Sequence, residues 1–467
     1  MGVVWAGIAP HPPIIVPEVG GAEVEKVTAT CSAMRRLAAD LKAAAPETVV
    51  ITSPHGPVFR DAVAVSLLPE LTGGLAAFGA PQVQVTRGND LELARTIMAE
   101  GGELKVPVVG LGREEVRRWR AGEELDHGVL VPFYYLAQAG VAAHLVWVGM
   151  SFLPPEELYA FGVAVARAAE KCGRRVAFLA SGDLSHRLTR EAPAGYHPEA
   201  ARFDALLVQK VREGDLEGLL KLDPALAEKA GECGWRSFMM MAGALDGRVV
   251  SPEVLSYEGP FGVGYLVAKL VPGAALPELR RLQRLRGARE RAVEERRAHE
   301  SVFARLARKS LEHYVRTGKR LPVPAPLPPE LAGRAGAFVS LKKHGQLRGC
   351  IGTTGPTQPT LAEEIIENAI SAGTRDPRFW PVQAEELPEI TYSVDVLSEP
   401  EPVKGLQDLD PKRYGVIVRA RGRSGLLLPD LEGIDTAEEQ VAIAKQKAGL
   451  GPGDKVSLER FEVKRYY

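Results

Sequence analysis

The stretch VVITSPHG (Val49–Gly56) joins a short apolar run to a loop that carries a histidine, and the same plan occurs twice more in the first half of the chain. His11 follows VVWAGI (Val3–Ile8), and His186 follows VAFLA (Val176–Ala180). Short apolar runs bounded by Gly, Pro and Ser predict buried strands. In an open parallel sheet, the loops after the strands meet at one edge, where ligands bind. The pattern therefore predicts three histidines at one edge of a sheet.

Helical stretches separate these runs over residues 1 to about 270, as at Glu23–Ala44 and Glu156–Lys171. Further strand candidates are Val83–Thr86, Ala143–Gly149 and Tyr265–Leu270. Strands that alternate with helices predict an α/β domain, in which a mostly parallel sheet has helices on both faces.

The second half of the chain has the pattern of an α+β domain. An amphipathic helix at Ser301–Thr317 precedes a hairpin at Ala337–Gly352, a helix at Thr360–Ala372 and a strand at Ile390–Leu397. A stretch dense in Arg and Glu precedes this domain and predicts an exposed helical linker. We therefore expect domains at 1–272 and 297–467, joined by a linker at 273–296.

Composition excludes several classes of protein. A chain of 467 residues is too long for one compact core. Its four cysteines form no CxxC pair, so a structural zinc site is not expected. The formal net charge of −1 disfavours nucleic-acid binding through bulk charge, which leaves only a local patch. No apolar stretch is long enough to span a bilayer and the start lacks a basic signal region, so a cytoplasmic location is expected.

His11 and His55 are the best-marked candidates for metal ligands, because imidazole is the most common metal ligand and Pro and Gly residues stiffen both loops. A divalent iron site normally adds a carboxylate to two histidines. Glu232, at the start of an apolar helix, and Glu258, in a turn, compete for that place. Cys233 is a third option, because a thiolate at a helix N-terminus has a lowered pKa. The residues alone do not separate these three.

Other polar residues of the first half have less distinct patterns. His127 in LDHGVLVPF lies at the start of a predicted buried helix, where it could donate a hydrogen bond to a substrate or cap the helix. Asp183 is expected to brace the GDLSH loop or to orient His186. His144 lies inside a strand-like run and is expected in the core.

The motifs HPP, SPHG, DHG, GDLSH and the ECG helix together resemble the class III extradiol ring-cleaving dioxygenases (LigB-like) and the related Memo proteins, over roughly residues 1–270. The resemblance implies that His11, His55 and a glutamate, best matched by Glu232, bind Fe(II), and that His186 is the acid–base. Memo proteins have a cysteine near this place, which Cys233 could match. They also gather the third histidine beside the other two without a clear dioxygenase activity.

The C-terminal part resembles the AMMECR domain family over about 295–467, through LRGCIG (Leu347–Gly352), DPRF (Asp376–Phe379) and GLLLPDL (Gly425–Leu431). The whole chain thus resembles the two-domain family called AmmeMemoRadiSam system protein A. That resemblance implies a genomic association with Memo-like and radical-SAM proteins.

LRGCIG and DPRF also suggest a second site in the C-terminal part. Cys350 lies between glycines beside Arg348, where a nearby cation would favour the thiolate. The alternative is that these residues are small because backbones pack closely there. Arg348, Arg375 and Arg378 could bind an anionic ligand, and Asp376 of DPRF is a further member of this candidate site.

The leading interpretation is a non-haem Fe(II)-dependent oxidoreductase that opens the ring of a small, catechol-like substrate with O2. His186 would take up a proton and later return it, and His127 would hydrogen-bond the substrate or the oxygen. One alternative is a metal-dependent enzyme that is not a dioxygenase and acts with Memo-like and radical-SAM partners in RNA or cofactor modification. Another divalent metal could take the place of Fe(II). A second is a non-catalytic scaffold that binds partners. A homodimer is a further expectation, and membrane association is not expected.

Overall fold

The computed structural model describes residues 2–119, 121–343, 346–431 and 433–467. The turn of the hairpin expected at Ala337–Gly352 falls at 344–345, outside the described residues. The chain divides into two compact units, the first ending at Gly287 and the second spanning Ala288–Tyr467. Within the described ranges, no helix is long and apolar enough to cross a membrane.

The first unit alternates strands and helices. Its strands are β1 (Gly2–Ala9), β2 (Thr48–Ser53), β3 (Val63–Ser66), β4 (Glu70–Leu75), β5 (Ala80–Gly88), β6 (Val108–Leu111), β7 (His144–Gly149), β8 (Arg175–Ser181), β9 (Arg248–Glu258) and β10 (Tyr265–Ala275). Its helices are α1 (Pro17–Gly20), α2 (Thr28–Ala43), α3 (Leu91–Glu103), α4 (Arg113–Trp119), α5 (His127–Gln138), α6 (Pro155–Lys171), α7 (Ala200–Glu213), α8 (Leu216–Leu220), α9 (Pro224–Ala230) and α10 (Trp235–Ala244).

Eight of these strands form one sheet in the order β6-β3-β7-β2-β8-β1-β10-β9. The four central strands β7, β2, β8 and β1 are parallel, and β10 and β9 add to the edge in antiparallel fashion. The prediction of an α/β fold with a mostly parallel sheet is confirmed. The expected place of Val83–Thr86 in the central sheet is wrong. This segment lies in β5, which pairs with β4 in a separate two-stranded sheet.

Both faces of the central sheet are covered, because its strands alternate apolar side chains between two cores. Val50 and Phe178 pack with α3, α6, α7 and α10 on one face. Val49, Ile51 and Leu179 pack with α2 and α5 on the other. A strand buried on both faces needs an unbroken apolar run, which explains the composition of VVIT and VAFLA.

The second unit is built around an antiparallel sheet. Helix α11 (Leu282–Ala298) contains the boundary between the units and is followed by α12 (Val302–Thr317), β11 (Ala337–Lys343), β12 (Gln346–Gly352), α13 (Leu361–Thr374), β13 (Ile390–Leu397), β14 (Glu401–Val403), β15 (Tyr414–Ala420), β16 (Arg423–Leu427), α14 (Ala437–Lys447) and β17 (Ser457–Tyr466). The strand order is β12-β11-β13-β17-β15-β16, and β14 also pairs with β17. Helices α12 and α13 pack on one part of this sheet and α14 on another, which confirms the α+β prediction.

Candidate metal centre

Strands β1, β8 and β2 lie side by side and end level with one another. Ile8 in β1 is in register with Ala180 in β8, and Ala180 is in register with Thr52 in β2. The loops that follow these strands therefore leave the sheet at the same edge. These are the loops that carry His11, His186 and His55.

His11 and His55 come into direct contact at this edge. The Nε2 atoms of the two rings are 2.9 Å apart, and the rings meet edge to face. His11 is buried, and its Nδ1 lies 2.9 Å from Oγ of Ser181. The backbone N–H of His11 donates to Oδ1 of Asp183 at 3.0 Å. Both rings thus turn the same nitrogen towards a shared point.

Cys233 is the third potential ligand at this point. Its Sγ is 3.6 Å from Nε2 of His11, and the ligand atoms of His11, His55 and Cys233 all lie within 4.8 Å of one another. A close approach of two backbones brings Cys233 there, because a Cβ added to Gly182 would lie 2.1 Å from Cα of Gly234. The N–H groups of Cys233 and Gly234 both donate to the carbonyl of Asp183.

The two glutamates predicted as alternative ligands are engaged elsewhere. Oε2 of Glu232 accepts a hydrogen bond from the backbone N–H of Trp235 at 2.7 Å, at the start of α10. Oε1 of Glu258 accepts from the N–H and the hydroxyl of Thr30, in the first turn of α2. In the described part of the chain, neither joins the group of His11, His55 and Cys233. Of the three candidates for the third ligand, the structure therefore places Cys233 beside His11 and His55.

His127 and His186 flank this group. His127 is the first residue of α5 and stacks on His55 with ring centroids 4.2 Å apart. The exposed ring of Phe78 lies 5.4 Å from His127 on the outer side. Nδ1 of His186 is buried without a hydrogen-bond partner among the described residues. Asp183 accepts a hydrogen bond from the backbone N–H of His11 and so ties the GDLSH loop to the loop of His11.

Burial keeps the four imidazoles of this centre neutral. Burial, and then the neighbouring rings of His55, His127 and His186, hold the pKa of His11 well below its usual value. Partial desolvation and the ring of His127 lower the pKa of His55 to about 4. Burial also lowers the pKa of His127 and that of His186. Neutral imidazoles have the free lone pair that a metal ligand or a general base requires.

The acidic groups of the centre are shifted in the opposite direction. Burial raises the pKa of Asp183 to about 7. Burial, and then the nearby carboxyl of Asp183, raise the pKa of the Cys233 thiol well above its usual value. The lowered pKa expected for Cys233 at a helix N-terminus is therefore wrong for the metal-free chain. A bound cation reverses this preference, because metal binding deprotonates a coordinating thiol.

Sequence reasoning missed several residues that position these side chains. Ser53 and Ser181 are the last residues of β2 and β8, and Asp126 caps the N-terminus of α5. Asp204 is wholly buried and accepts a hydrogen bond from the N–H of Ser185, next to His186. The sequence pattern that could have indicated the two serines is a serine at the end of an apolar run, which occurs in VVITS and in VAFLAS. His144, expected in the core, is exposed at the start of β7.

The residues proposed for a second site in the C-terminal unit pair with one another and with neighbours. Arg348 donates twice to Glu386, at 2.9 and 3.0 Å. Arg378 donates to both oxygens of Asp376, which also accepts from the N–H of Cys350 at 2.9 Å. The charges of this cluster are thus balanced internally, which favours a structural role for Asp376, whose carboxylate holds the backbone of the edge strand β12 at Cys350.

Comparison with known proteins follows the division into two units. The catalytic LigB subunit of aromatic ring-opening dioxygenase matches residues 6–268, and AMMECR1 matches residues 304–467. Protein CA_C1420 of Clostridium acetobutylicum is 40% identical over 461 residues and covers 98% of both chains. A Thermotoga maritima protein is 54% identical over 170 residues, which is 36% of this chain and 98% of its own.

A solved structure of an uncharacterized protein, PH0010 from Pyrococcus horikoshii, is 37% identical, covers 35% of this chain and 88% of that chain, and has a TM-score of 0.33. The LigB match extends over more than half of the chain, and the clostridial relative is similar from end to end. The chain belongs to the LigB family, with an AMMECR1 domain fused to its C-terminal side. The recognition of this two-domain fusion from the sequence is confirmed.

Proposed function

We propose that the first unit is a metal-dependent oxidoreductase of the ring-opening dioxygenase type. The observation that carries the proposal is the convergence of Nε2 of His11, Nε2 of His55 and Sγ of Cys233 on one point. The match to the catalytic LigB subunit supports a dioxygenase-like reaction. The expected metal is Fe(II), and another divalent transition metal would suit the same donors.

The donor set fits a transition metal. Two neutral imidazoles and one thiol bind soft and borderline cations well, and they leave coordination positions open for a substrate. Nδ1 of His11 is hydrogen-bonded to the hydroxyl of Ser181, and Nε2 of the same ring faces the other two donors. When bound, the metal would supply a Lewis acid that lowers the pKa of a substrate hydroxyl. We propose a small aromatic substrate with adjacent hydroxyl groups, similar to catechol.

The residues around the metal ligands have separate tasks in this proposal. Burial lowers the pKa of His186, so its imidazole is neutral and can accept the proton of a substrate hydroxyl and return it. His127, stacked on His55, can donate a hydrogen bond to the substrate. The ring of Phe78 offers an apolar contact for an aromatic ring beside His127. Asp183 fixes the backbone of His11.

The cysteine favours a second candidate function. A carboxylate completes the usual non-haem iron triad, whereas a thiolate suits zinc and copper as well as iron. The same centre could therefore serve a metal-dependent step without O2, together with Memo-like and radical-SAM partners, in RNA or cofactor modification. The two candidates share the metal ligands and differ in their need for oxygen.

The test begins with the full chain purified without air and its metal content measured by mass spectrometry. We expect about one metal ion per chain in the wild type and in the His144→Ala control, and a loss of most of it in His11→Ala. The exposed His144 is a matched control, because it removes an imidazole of the same unit outside the cluster. A His11→Ala chain with full metal occupancy would contradict the assignment.

Oxygen uptake then separates the candidates. Iron-loaded chain should consume O2 with catechol-type compounds, and His186→Ala should keep its metal and lose this turnover. Metal binding without oxygen uptake would overturn the dioxygenase and favour the second candidate. A chain that binds no divalent metal even after anaerobic reconstitution would reject both and favour a scaffold.

A further inference from the structure

Two buried serines end adjacent strands of the central sheet and connect the proposed ligands to a single turn. Ser181 is the last residue of β8, and Ser53 is the last residue of β2. Neither side chain is exposed to solvent. The turn that both reach is Asp126–Gly128, at the start of α5.

The first connection sets the proton position on His11. Oγ of Ser181 lies 2.5 Å from the carbonyl oxygen of Gly128 and 2.9 Å from Nδ1 of His11. A carbonyl only accepts, so the single hydroxyl hydrogen of Ser181 is donated to Gly128. The hydroxyl oxygen must then accept from Nδ1–H of His11. Nε2 is left with its lone pair, and this is the atom that faces His55 and Cys233.

The second connection holds the loop of His55. The backbone N–H of His55 donates to Oγ of Ser53 at 3.3 Å, and Ser53 donates to Oδ1 of Asp126 at 2.5 Å. The same carboxylate oxygen accepts from the N–H of Gly128 at 2.7 Å. Asp126 therefore joins the end of β2 to the start of α5.

The two connections meet at Gly128. Its carbonyl receives the hydrogen of Ser181, and its N–H is donated to Asp126. No side chain fits here, because a Cβ on Gly128 would lie 2.3 Å from Oγ of Ser53. One residue, Gly128, thus links both histidines through the peptide groups on either side of its Cα, although His11 and His55 follow different strands.

We propose that Ser181, Gly128, Asp126 and Ser53 form a positioning relay, which fixes the tautomer of His11 and the loop of His55 so that both present Nε2 to one metal ion. The metal part of this inference rests on the proposed function, whereas the tautomer part does not. Removal of a group that orients a ligating histidine typically weakens metal binding by roughly 10- to 100-fold.

The variants separate positioning from stability. Ser181→Ala removes the acceptor of the His11 proton, and Ser181→Thr restores a hydroxyl. Ser66→Ala is the matched control, because Ser66 is a buried serine that ends β3 of the same sheet outside the relay. A purely structural role would lower the stability of Ser181→Ala without changing the proton position on His11.

The first readout uses the metal-free full chain with 15N-labelled histidine and long-range nitrogen–proton correlation spectra. We expect His11 to be protonated at Nδ1 in the wild type, in Ser66→Ala and in Ser181→Thr, and to populate the other tautomer in Ser181→Ala. The second readout is titration with Co(II) against a chelator, with an expected 10- to 100-fold weaker affinity in Ser181→Ala only.

The outcomes are distinguishable. An unchanged His11 tautomer in Ser181→Ala would overturn the relay, whatever the metal affinity. A changed tautomer with unchanged Co(II) affinity would overturn its role in metal binding. A wild type that binds no Co(II) would contradict the proposed function, and the spectra of the metal-free chain would still decide whether the relay exists.

Discussion

Replacing Asp204 with asparagine should change how the stability of the first unit depends on pH. Asp204 lies on α7, wholly buried, where Oδ1 accepts from the N–H of Ser185 at 2.9 Å and Oδ2 accepts from the hydroxyl of Tyr257 at 2.7 Å. Burial raises the pKa of this carboxyl from 3.8 to about 6. Ser185 precedes His186, so Asp204 also supports the loop of the proposed acid–base.

The sign follows from the raised pKa. The folded state binds the proton of Asp204 more tightly than the unfolded state does. The stability that this proton contributes is fully present below pH 3.8 and is lost as the pH rises through about 6. The difference between the pKa of Asp204 in the folded state and in the unfolded state corresponds to about 3 kcal/mol of unfolding free energy. Asparagine has nearly the same shape and no charge. It can accept from Ser185 and donate its amide N–H to Tyr257, which keeps both hydrogen bonds.

We therefore expect the unfolding free energy of Asp204→Asn, relative to the wild type, to rise by about 2.5 kcal/mol between pH 4 and pH 8. Urea unfolding followed by tryptophan fluorescence measures this, because four of the five tryptophans lie in the first unit. Glu191→Gln, which removes an exposed carboxyl, is the control and should show no such trend. A relative stability of Asp204→Asn that stays constant across this pH range would refute the reasoning.

Three further predictions concern the third ligand and the second unit. Cys233→Ala should lower the occupancy of a bound metal at least tenfold by mass spectrometry, whereas Glu232→Gln should leave it unchanged; the opposite result would restore the glutamate as the ligand. Arg378 lowers the pKa of Asp376 to about 2, so Asp376 adds stability above pH 3.8 that is lost as the pH falls towards 2. Asp376→Asn should therefore cost about 1–2 kcal/mol of unfolding free energy at pH 7, after allowance for the half-exposed arginine, and little near pH 2. Ser301 caps α12 by accepting from the N–H of Ala304, and Ser301→Ala should cost about 1 kcal/mol; an unchanged denaturation midpoint would show that the cap adds nothing.

The sequence predicted the central sheet because its strands are buried on both faces. VVI in β2 and VAFLA in β8 are unbroken apolar runs, which are typical of strands buried on both faces. Val83–Thr86 was misplaced although its pattern differs. VQVT alternates apolar and polar residues, as does its burial in β5, and this alternation is typical of a half-buried antiparallel strand.

The convergence of the histidine loops was predictable, and the hydrogen bonds that orient the rings were not. Parallel strands that end in register must bring their following loops to one edge. The strand assignment alone therefore predicts that His11, His55 and His186 lie at the same edge of the sheet. The relay through Ser181 and Gly128 depends on which hydroxyl faces which carbonyl. That is decided by the packing of α5 against the sheet, which no local pattern encodes.

The choice between Glu232 and Cys233 illustrates the limit most clearly, because adjacent residues point in different directions. Glu232 satisfies a free N–H group at the start of α10, a role that any short acceptor before a helix can take. The next residue, Cys233, donates its backbone N–H to the carbonyl of Asp183, and the backbones of Gly182 and Gly234 approach closely beside it. The thiol of Cys233 is therefore the group that lies beside His11, at 3.6 Å from its Nε2. The family resemblance favoured Glu232 because a glutamate binds the iron of the dioxygenases, and the paired substitutions of Cys233 and Glu232 test which of the two adjacent residues binds the metal here.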